Sequence, residues 1–332
     1  MKTYTTARSQ IAQYCNVSTS DTTTMSVIDT YMNDSIKTIC NLQGGKLRFL
    51  EDTEDITTVA NQEGYQIPNK FRKLIDLQVY SGSDTDPASS DTIYAPEMVF
   101  DPTKWKFIQQ NKLGVQDIPY FAYVENQKFY LQPVPASTGN VIRLRGRLNT
   151  VDLTIADYTT GTIVSIANGG TAVVGSSTTW TADMVGRYIN IPQTTAANGG
   201  DGFWYQIGSY TSATSIGLLK PYDGTSISAG SATYTIGQVP VVPEAYQPAI
   251  IYRSTALYWQ NQNDLNRAKT YWMQYDGGNE AGLSKEYGGL ISQMLANEGE
   301  TEESSYIPPF GSTSNLPQAP YYQSYQQASG FN

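Results

Sequence analysis

Gly161-Thr162-Ile163-Val164-Ser165-Ile166, then Asn168-Gly169-Gly170, then Thr171-Ala172-Val173-Val174-Gly175: this run decides how the chain is organised. It continues through Thr178-Thr179-Trp180, Val185-Gly186-Arg187-Tyr188-Ile189, Tyr205-Gln206-Ile207 and Ser215-Ile216-Gly217-Leu218-Leu219, and closes at Tyr234-Thr235-Ile236. Short β-branched and aromatic runs, each ended by Gly, Asn, Asp or Ser, predict a small all-β sandwich or barrel. Its charged residues are few (Asp152, Asp157, Asp183, Arg187, Asp201, Lys220 and Asp223), and no grouping of them suits catalysis. Asn168-Gly169-Gly170 and Asn198-Gly199-Gly200-Asp201-Gly202 lack a following Lys-Ser or Lys-Thr, so they read as β-turns and not as phosphate loops. A sparsely charged β insert in a chain with helical ends reads as an assembly part.

Working outward from the insert, the N-terminal side opens with helices. Thr6 is a candidate cap for a helix carrying Ala7, Ile11 and Tyr14. Met25, Ile28, Met32, Ile36 and Ile39 then recur at steps of three and four, and Gly44-Gly45 ends that helix. From Lys46 the pattern changes to strands: 47–50, 56–59, 65–68 and 74–80. A polar stretch from Ser81 to Thr92 predicts a loop. Asp101-Pro102 suits a helix start that includes Trp105 and Phe107. Residues 120–124 and 128–131 form a hairpin pattern about Glu125-Asn126-Gln127, and Val141 to Leu148 closes this half.

On the C-terminal side, Val239-Pro240-Val241-Val242-Pro243 is a stiff connector. Ala245, Ala249, Tyr252, Ala256 and Trp259 share one helical face, and Leu265, Ala268, Trp272 and Tyr275 share another, which predicts an antiparallel helix pair. A third helical stretch spans 279–297, interrupted by Gly288-Gly289. Residues 299–332 are rich in Pro, Gln, Ser and Tyr and cannot by themselves bury enough surface to offset their ordering entropy. Their aromatics suit an arm that orders on a partner. The expected class is therefore α+β: a core of N-terminal helices and strands over 1–150, an inserted β-sandwich or barrel module over 151–238, helices completing the core over 239–298, and an extended arm over 299–332.

Composition excludes several function classes. The 332-residue chain has a net charge of −9 and no histidine. It lacks the electrostatic drive for gripping nucleic acid, and it lacks the usual general base, zinc ligand and pH switch. Cys15 and Cys40 are too few for a disulfide scaffold and read as free thiols in a reducing cytoplasm or a particle assembled there. No secretory leader is recognised, and no apolar run approaches the roughly 20 residues of a membrane span. The 25 tyrosines offer stiff contact area that tolerates water, suited to subunit contacts or to half-buried sheet positions.

Candidate residues are accordingly interfacial. Arg143, Arg145 and Arg147 alternate along one strand, which places them on one face as a candidate channel or inter-subunit contact; the plainer reading is a solvated row balanced by local acids. Trp180, Trp204 and Tyr205 are candidates for stacking on sugar rings or facing an assembly partner. Glu51 to Asp55, and Asp84, Asp86 and Asp91, lack the ordered spacing of a calcium loop and read as solvated loops. No catalytic, cofactor or metal residue is assigned. The rival to an assembly role is a carbohydrate- or receptor-binding protein.

In their order, these elements resemble the head-to-tail adaptor (connector, head-completion) proteins of tailed bacteriophages. The resemblance rests on residues 27–36 ending the first helix pair, and on Gly64-Tyr65-Gln66-Ile67-Pro68 leading to a long strand. It also rests on Trp105, Pro119-Tyr120-Phe121, Phe129-Tyr130-Leu131-Gln132-Pro133-Val134-Pro135, and helices holding Lys269 to Tyr275. It covers residues 1 to about 150 and 239 to 295. The insert is similar to β modules of phage structural proteins, through Val173 to Trp180 and Met184-Val185-Gly186-Arg187. The resemblance implies a homo-oligomeric ring, typically a dodecamer, at the head–tail junction of the virion. Such a ring joins the portal protein ring to tail or nozzle proteins and surrounds genomic DNA that passes through without specific binding. It also implies portal docking by the arm, with Tyr306, Phe310, Tyr321, Tyr322 and Tyr325 as anchors.

Overall fold

The computed structural model of the chain describes residues 1–80, 93–112, 116–194, 199–228, 230–278 and 288–298. Two helices open it: α1 (Tyr4–Tyr14) and α2 (Thr22–Asn41). Strands β1 (Glu51–Thr57), β2 (Gly64–Gln66), β3 (Phe71–Tyr80), β4 (Ile93–Tyr94) and β5 (Glu97–Val99) lead to α3 (Pro102–Lys112). Strands β6 (Gln116–Asp117), β7 (Phe121–Glu125), β8 (Lys128–Gln132), β9 (Val134–Pro135) and β10 (Val141–Leu148) follow. The insert contains β11 (Thr162–Ile166), β12 (Ala172–Ser176), β13 (Tyr188–Asn190), β14 (Trp204–Ser212), β15 (Ser215–Leu218) and β16 (Thr235–Gly237). Helices α4 (Gln247–Asn261), α5 (Leu265–Asp276) and α6 (Leu290–Glu298) close the described chain. Helices and sheets are mixed as the α+β expectation requires.

The helical core forms where the two ends of the sequence meet. All five residues of the Met25–Ile39 stripe are buried, and they pack with Ala249, Ile250, Ile251 and Ala256 of α4. Alanine at the contact positions leaves room for α2 to approach α4. Across this contact, buried Arg253 donates to Asp34 Oδ2 at 2.7 Å, and Ser254 Oγ lies 3.0 Å from Ser35 Oγ. Arg8 donates to Asp29 at 2.7 Å and ties α1 to α2. Asp21 and Asp264 cap α2 and α5 by accepting from Thr24 N and Arg267 N, and left-handed Gly277 ends α5.

Three local expectations change. The first helix is capped by Thr3 and not Thr6: Thr3 Oγ1 accepts from Thr6 N at 3.2 Å, and the helix starts one turn earlier. Residues 48–50 form a 3-10 turn where a strand was expected, because the left-handed Gln43 to Gly45 turn redirects the chain. Three-residue spacing then sends Leu47 and Leu50 into the same helical core, where both are wholly buried. The acidic run Glu51–Asp55 is the start of strand β1 and not a loop. Residues 84, 86 and 91 lie outside the described residues, as does 279–287 of the expected third helix, which is seen as α6 from Leu290.

Two four-stranded sheets, β1-β10-β3-β4 and β2-β8-β7-β5, enclose a second core of Phe71, Leu77, Phe129, Leu131, Ile142 and Leu144. The β7–β8 hairpin turns at Asn126 and Gln127, both at positive φ. In the insert, the strand order is β11-β12-β15-β14-β13-β16. Bridges Ile163–Ala232 and Ile166–Ile227 join β11 to the chain leading into β16, linking both ends of that order. Its own core holds Ile163, Val173, Trp180, Ile207, Tyr222 and Ile236.

Candidate functional site

Strand β10 presents its arginines opposite the acids of β1. The register sets Asp55 across from Arg143 and Glu51 across from Arg147. Arg143 donates to both carboxylate oxygens of Asp55, Nε and Nη2 each at 2.8 Å, in the fork geometry a guanidinium favours. Those bonds, chiefly, hold the guanidinium further toward its charged form. Arg145 pairs with Glu51, and its Nη1 lies 3.9 Å from Asp76. Arg147 is buried. On the other side of β1, Lys70 binds Asp52 at 3.0 Å and also Glu54. Arg143 and Arg145 thus stand in ion pairs to β1 inside one chain, while buried Arg147 departs from a solvated row; cross-strand pairs of this kind contribute roughly 0.2–1 kcal/mol each.

Of the three aromatic candidates of the insert, Trp180 separates from Trp204 and Tyr205, which line one cleft. Trp180 does not face outward: it is 1% exposed, its Nε1 donates to Tyr234 Oη at 2.9 Å, and the two rings meet edge-on. Tyr234 Oη in turn donates to Thr160 O at 2.6 Å. The Val-x-Gly-x-x-Thr-x-Trp pattern therefore builds core: a Cβ on Gly175 would lie 2.7 Å from both Thr178 Cγ2 and Trp180 Cη2. Sugar stacking at Trp180 is sterically closed, which corrects that expectation.

Tyr205 is also largely enclosed. It packs on Tyr222 with ring centroids 5.3 Å apart, donates to Asp201, and accepts from Asp223 N at 3.1 Å. Burial, reinforced by the hydrogen bond to Asp201, pushes its phenol up to about 12. Trp204 is half-buried on the floor of an open cleft of about 450 Å³, also lined by Tyr188, Gln206, Leu219 and Asp223. Phe203 stands on its rim, 68% exposed. This ring is held out by a built turn: Phe203 N donates to Asp201 Oδ1 at 3.0 Å, and Asn190 Nδ2 donates to the Gly202 and Phe203 carbonyls at 2.7 and 3.0 Å.

A second exposed aromatic surface lies on α3 and was not foreseen as a site. Trp105 and Ile108 turn inward onto Val99 and Tyr123, with Trp105 stacked on Tyr123 at 5.3 Å. Phe107 turns outward, 67% exposed, and Phe100, just before the helix, is 78% exposed. Pro102 and Asp101, which accepts from Thr103 N at 2.8 Å, fix this start as expected. The signal available in sequence was a second aromatic two residues from Trp105, which a helix must send to another face.

The arm residues Tyr306, Phe310, Tyr321, Tyr322 and Tyr325 lie outside the described residues. Among the described residues no cluster of His, Cys, Asp or Glu is arranged to hold a metal, and no helix is long and apolar enough to cross a membrane. Both cysteines are buried, and burial pushes each thiol up to about 12.

Residues 2–168 match the family model described as SU10 adaptor protein. The search of curated proteins returns no match.

Proposed function

The chain belongs to the SU10 adaptor protein family of phage structural proteins, and from that premise we propose that it forms the ring joining the portal vertex to the tail around the DNA exit channel. The match over residues 2–168 carries this reading, since it spans the N-terminal helices, both four-stranded sheets and the entry to the insert. Two physical features support it. The described surface holds exposed aromatics in several places, among them Phe107 on α3 and Phe203 on the insert, which suits a subunit with several neighbours. The net charge of −9 suits a wall that DNA slides past without sticking.

In this reading the arm over 299–332 docks on portal subunits through Tyr306, Phe310, Tyr321, Tyr322 and Tyr325, and ring symmetry multiplies a modest affinity per arm. The Arg143–Arg147 strand is a stable wall element, since Arg143 and Arg145 already hold acids of their own chain. The ring is a virion component assembled from subunits made in the host cytoplasm. The burial of Trp180 removes one of the three aromatics on which a glycan-binding reading rested.

The test is to mix the purified protein with the portal ring of the same virus and image the product by negative-stain electron microscopy. An added symmetric tier is expected; its absence, with the protein left alone in solution, would refute the adaptor ring. A chain ending at residue 298 should lose that tier. If it binds as the full chain does, the arm is not the portal anchor.

A further inference from the structure

The cleft on the insert combines an aromatic surface with polar groups of both signs. Half-buried Trp204, together with exposed Phe203 and Leu219, supplies the apolar part. Asp223 and Lys220 line the same space; both are exposed, and neither has an ion-pair partner among the described residues. Gln206 Nε2 donates to Gly186 O at 3.3 Å, which leaves the amide oxygen as an acceptor. Met1 also lines the cleft, but its ammonium is held by Glu244, so it does not tip this balance of charge. The volume of about 450 Å³ falls within the roughly 300–1,000 Å³ of small-ligand sites. One phenol fixes both sides of the cleft. Tyr205 Oη accepts from Asp223 N at 3.1 Å and donates to Asp201, whose Oδ1 accepts from Phe203 N at 3.0 Å. Groups arranged in this way before contact lose little ordering entropy on binding.

We infer that this cleft binds a neutral saccharide, a pyranose ring resting its C–H face on Trp204 and Phe203. A pyranose has two kinds of surface, an apolar C–H face and a rim of hydroxyls that each donate and accept. Aromatic side chains suit the first. Asp223 and the Gln206 amide oxygen as acceptors, with Lys220 as donor, suit the second. The charges weigh against other ligand classes. A quaternary ammonium, which aromatic rings also attract, would meet the Lys220 ammonium. A simple anion would meet Asp223 on a chain of net charge −9. A wholly apolar ligand would strip water from both charged groups without replacing their hydrogen bonds. A neutral polyhydroxyl ring pairs with both and needs neither neutralised. The site does not depend on the ring reading; only the avidity that repetition around a ring adds toward a polymeric saccharide rests on it.

The full chain is tested by saturation-transfer difference NMR against maltohexaose, cellohexaose, mannohexaose and chitohexaose at millimolar concentration. Transfer to the ring C–H protons of at least one oligosaccharide is expected, undiminished by added tetramethylammonium or inorganic phosphate. Phe203→Ala and Asp223→Ala, both at exposed positions, should each raise the Kd by about tenfold or more while leaving the unfolding midpoint unchanged. Phe107→Ala, on the separate aromatic surface of α3, should leave the Kd unchanged. Absence of transfer to every oligosaccharide would overturn the inference, as would binding that survives Phe203→Ala. Displacement by phosphocholine would also overturn it and assign the two charges to a zwitterion. Self-association of the full chain that Phe203→Ala abolishes, without saccharide transfer, would give the cleft to a protein neighbour instead. Saccharide binding without any portal tier would keep this site and refute the ring reading, whereas a portal tier without saccharide binding would do the reverse.

Discussion

Tyr205 shows how one side chain sets the conditions under which the insert is stable. Its phenol is enclosed against Tyr222, donates to Asp201 and accepts from Asp223 N, and its pKa rises to about 12 from an ordinary value near 10. The folded state therefore favours the protonated phenol. That contribution is complete below about pH 10 and is lost as pH climbs through 12. Tyr205→Phe should cost about 1–3 kcal/mol at neutral pH, because the Asp201 carboxylate and the Asp223 N–H lose a partner. The difference between the parent and the variant should shrink between pH 10 and 12, as read by urea unfolding at a series of pH values. A constant difference across that window would place the phenol's role elsewhere. Tyr205 was singled out in sequence as an aromatic beside Trp204; its ring lines the same cleft as Trp204, and its hydroxyl also serves the turn that presents Phe203. Aromatic identity is visible in sequence, but the direction of a ring is set by strand pairing that sequence spacing does not reveal.

At the scale of elements, legibility follows the range of the interactions. Helix α2 was readable because its stripe repeats within the helix itself, and all five stripe residues are buried. The start of α3 was readable from Asp101, which acts two residues along the chain; Asp21, which caps α2, was not singled out. Strand β1 was not readable, since four acids in five residues disfavour a strand until Arg143 and Arg145, 88 and 94 residues away from their partners, neutralise them. Together the acid run and the alternating arginines were a cross-strand signal that neither gives alone. Gly146 within the arginine strand is a further case. A Cβ there would stand 2.7 Å from the ring of buried Phe71 and 3.0 Å from Lys73 O, so the position admits no side chain. Gly146→Ala should destabilise the chain by about 1–3 kcal/mol through overpacking. Chemical denaturation followed by tryptophan fluorescence checks this, and an unchanged midpoint would show that the β10–β3 contact yields freely.

At the scale of the molecule, the insert enters and leaves the rest of the chain at one point. Tyr158 N donates to Ile236 O and Ile236 N to Tyr158 O, both at 2.8 Å, an antiparallel pair whose Cα atoms lie about 5.5 Å apart. The contacts that hold this doorway to the helices lie outside that pair: Thr3 Oγ1 donates to Asp157 at 2.7 Å, Tyr4 N to Gln238 O at 2.8 Å, and Asn33 binds Leu153 through both its backbone groups. The residues of the insert core, from Ile163 to Ile236, are also separate from those of the helical core. Replacing residues 158–236 by a three-residue glycine linker spans so short a gap at little closure cost. The shortened chain should keep its helical circular dichroism and cooperative unfolding. Mixed with the portal ring, it tests whether the insert takes part in the contacts between neighbours. A complete tier formed by the shortened chain would show that neighbours meet through the helices and sheets alone. Loss of the helical signal would show instead that the insert is needed to fold the body that carries it.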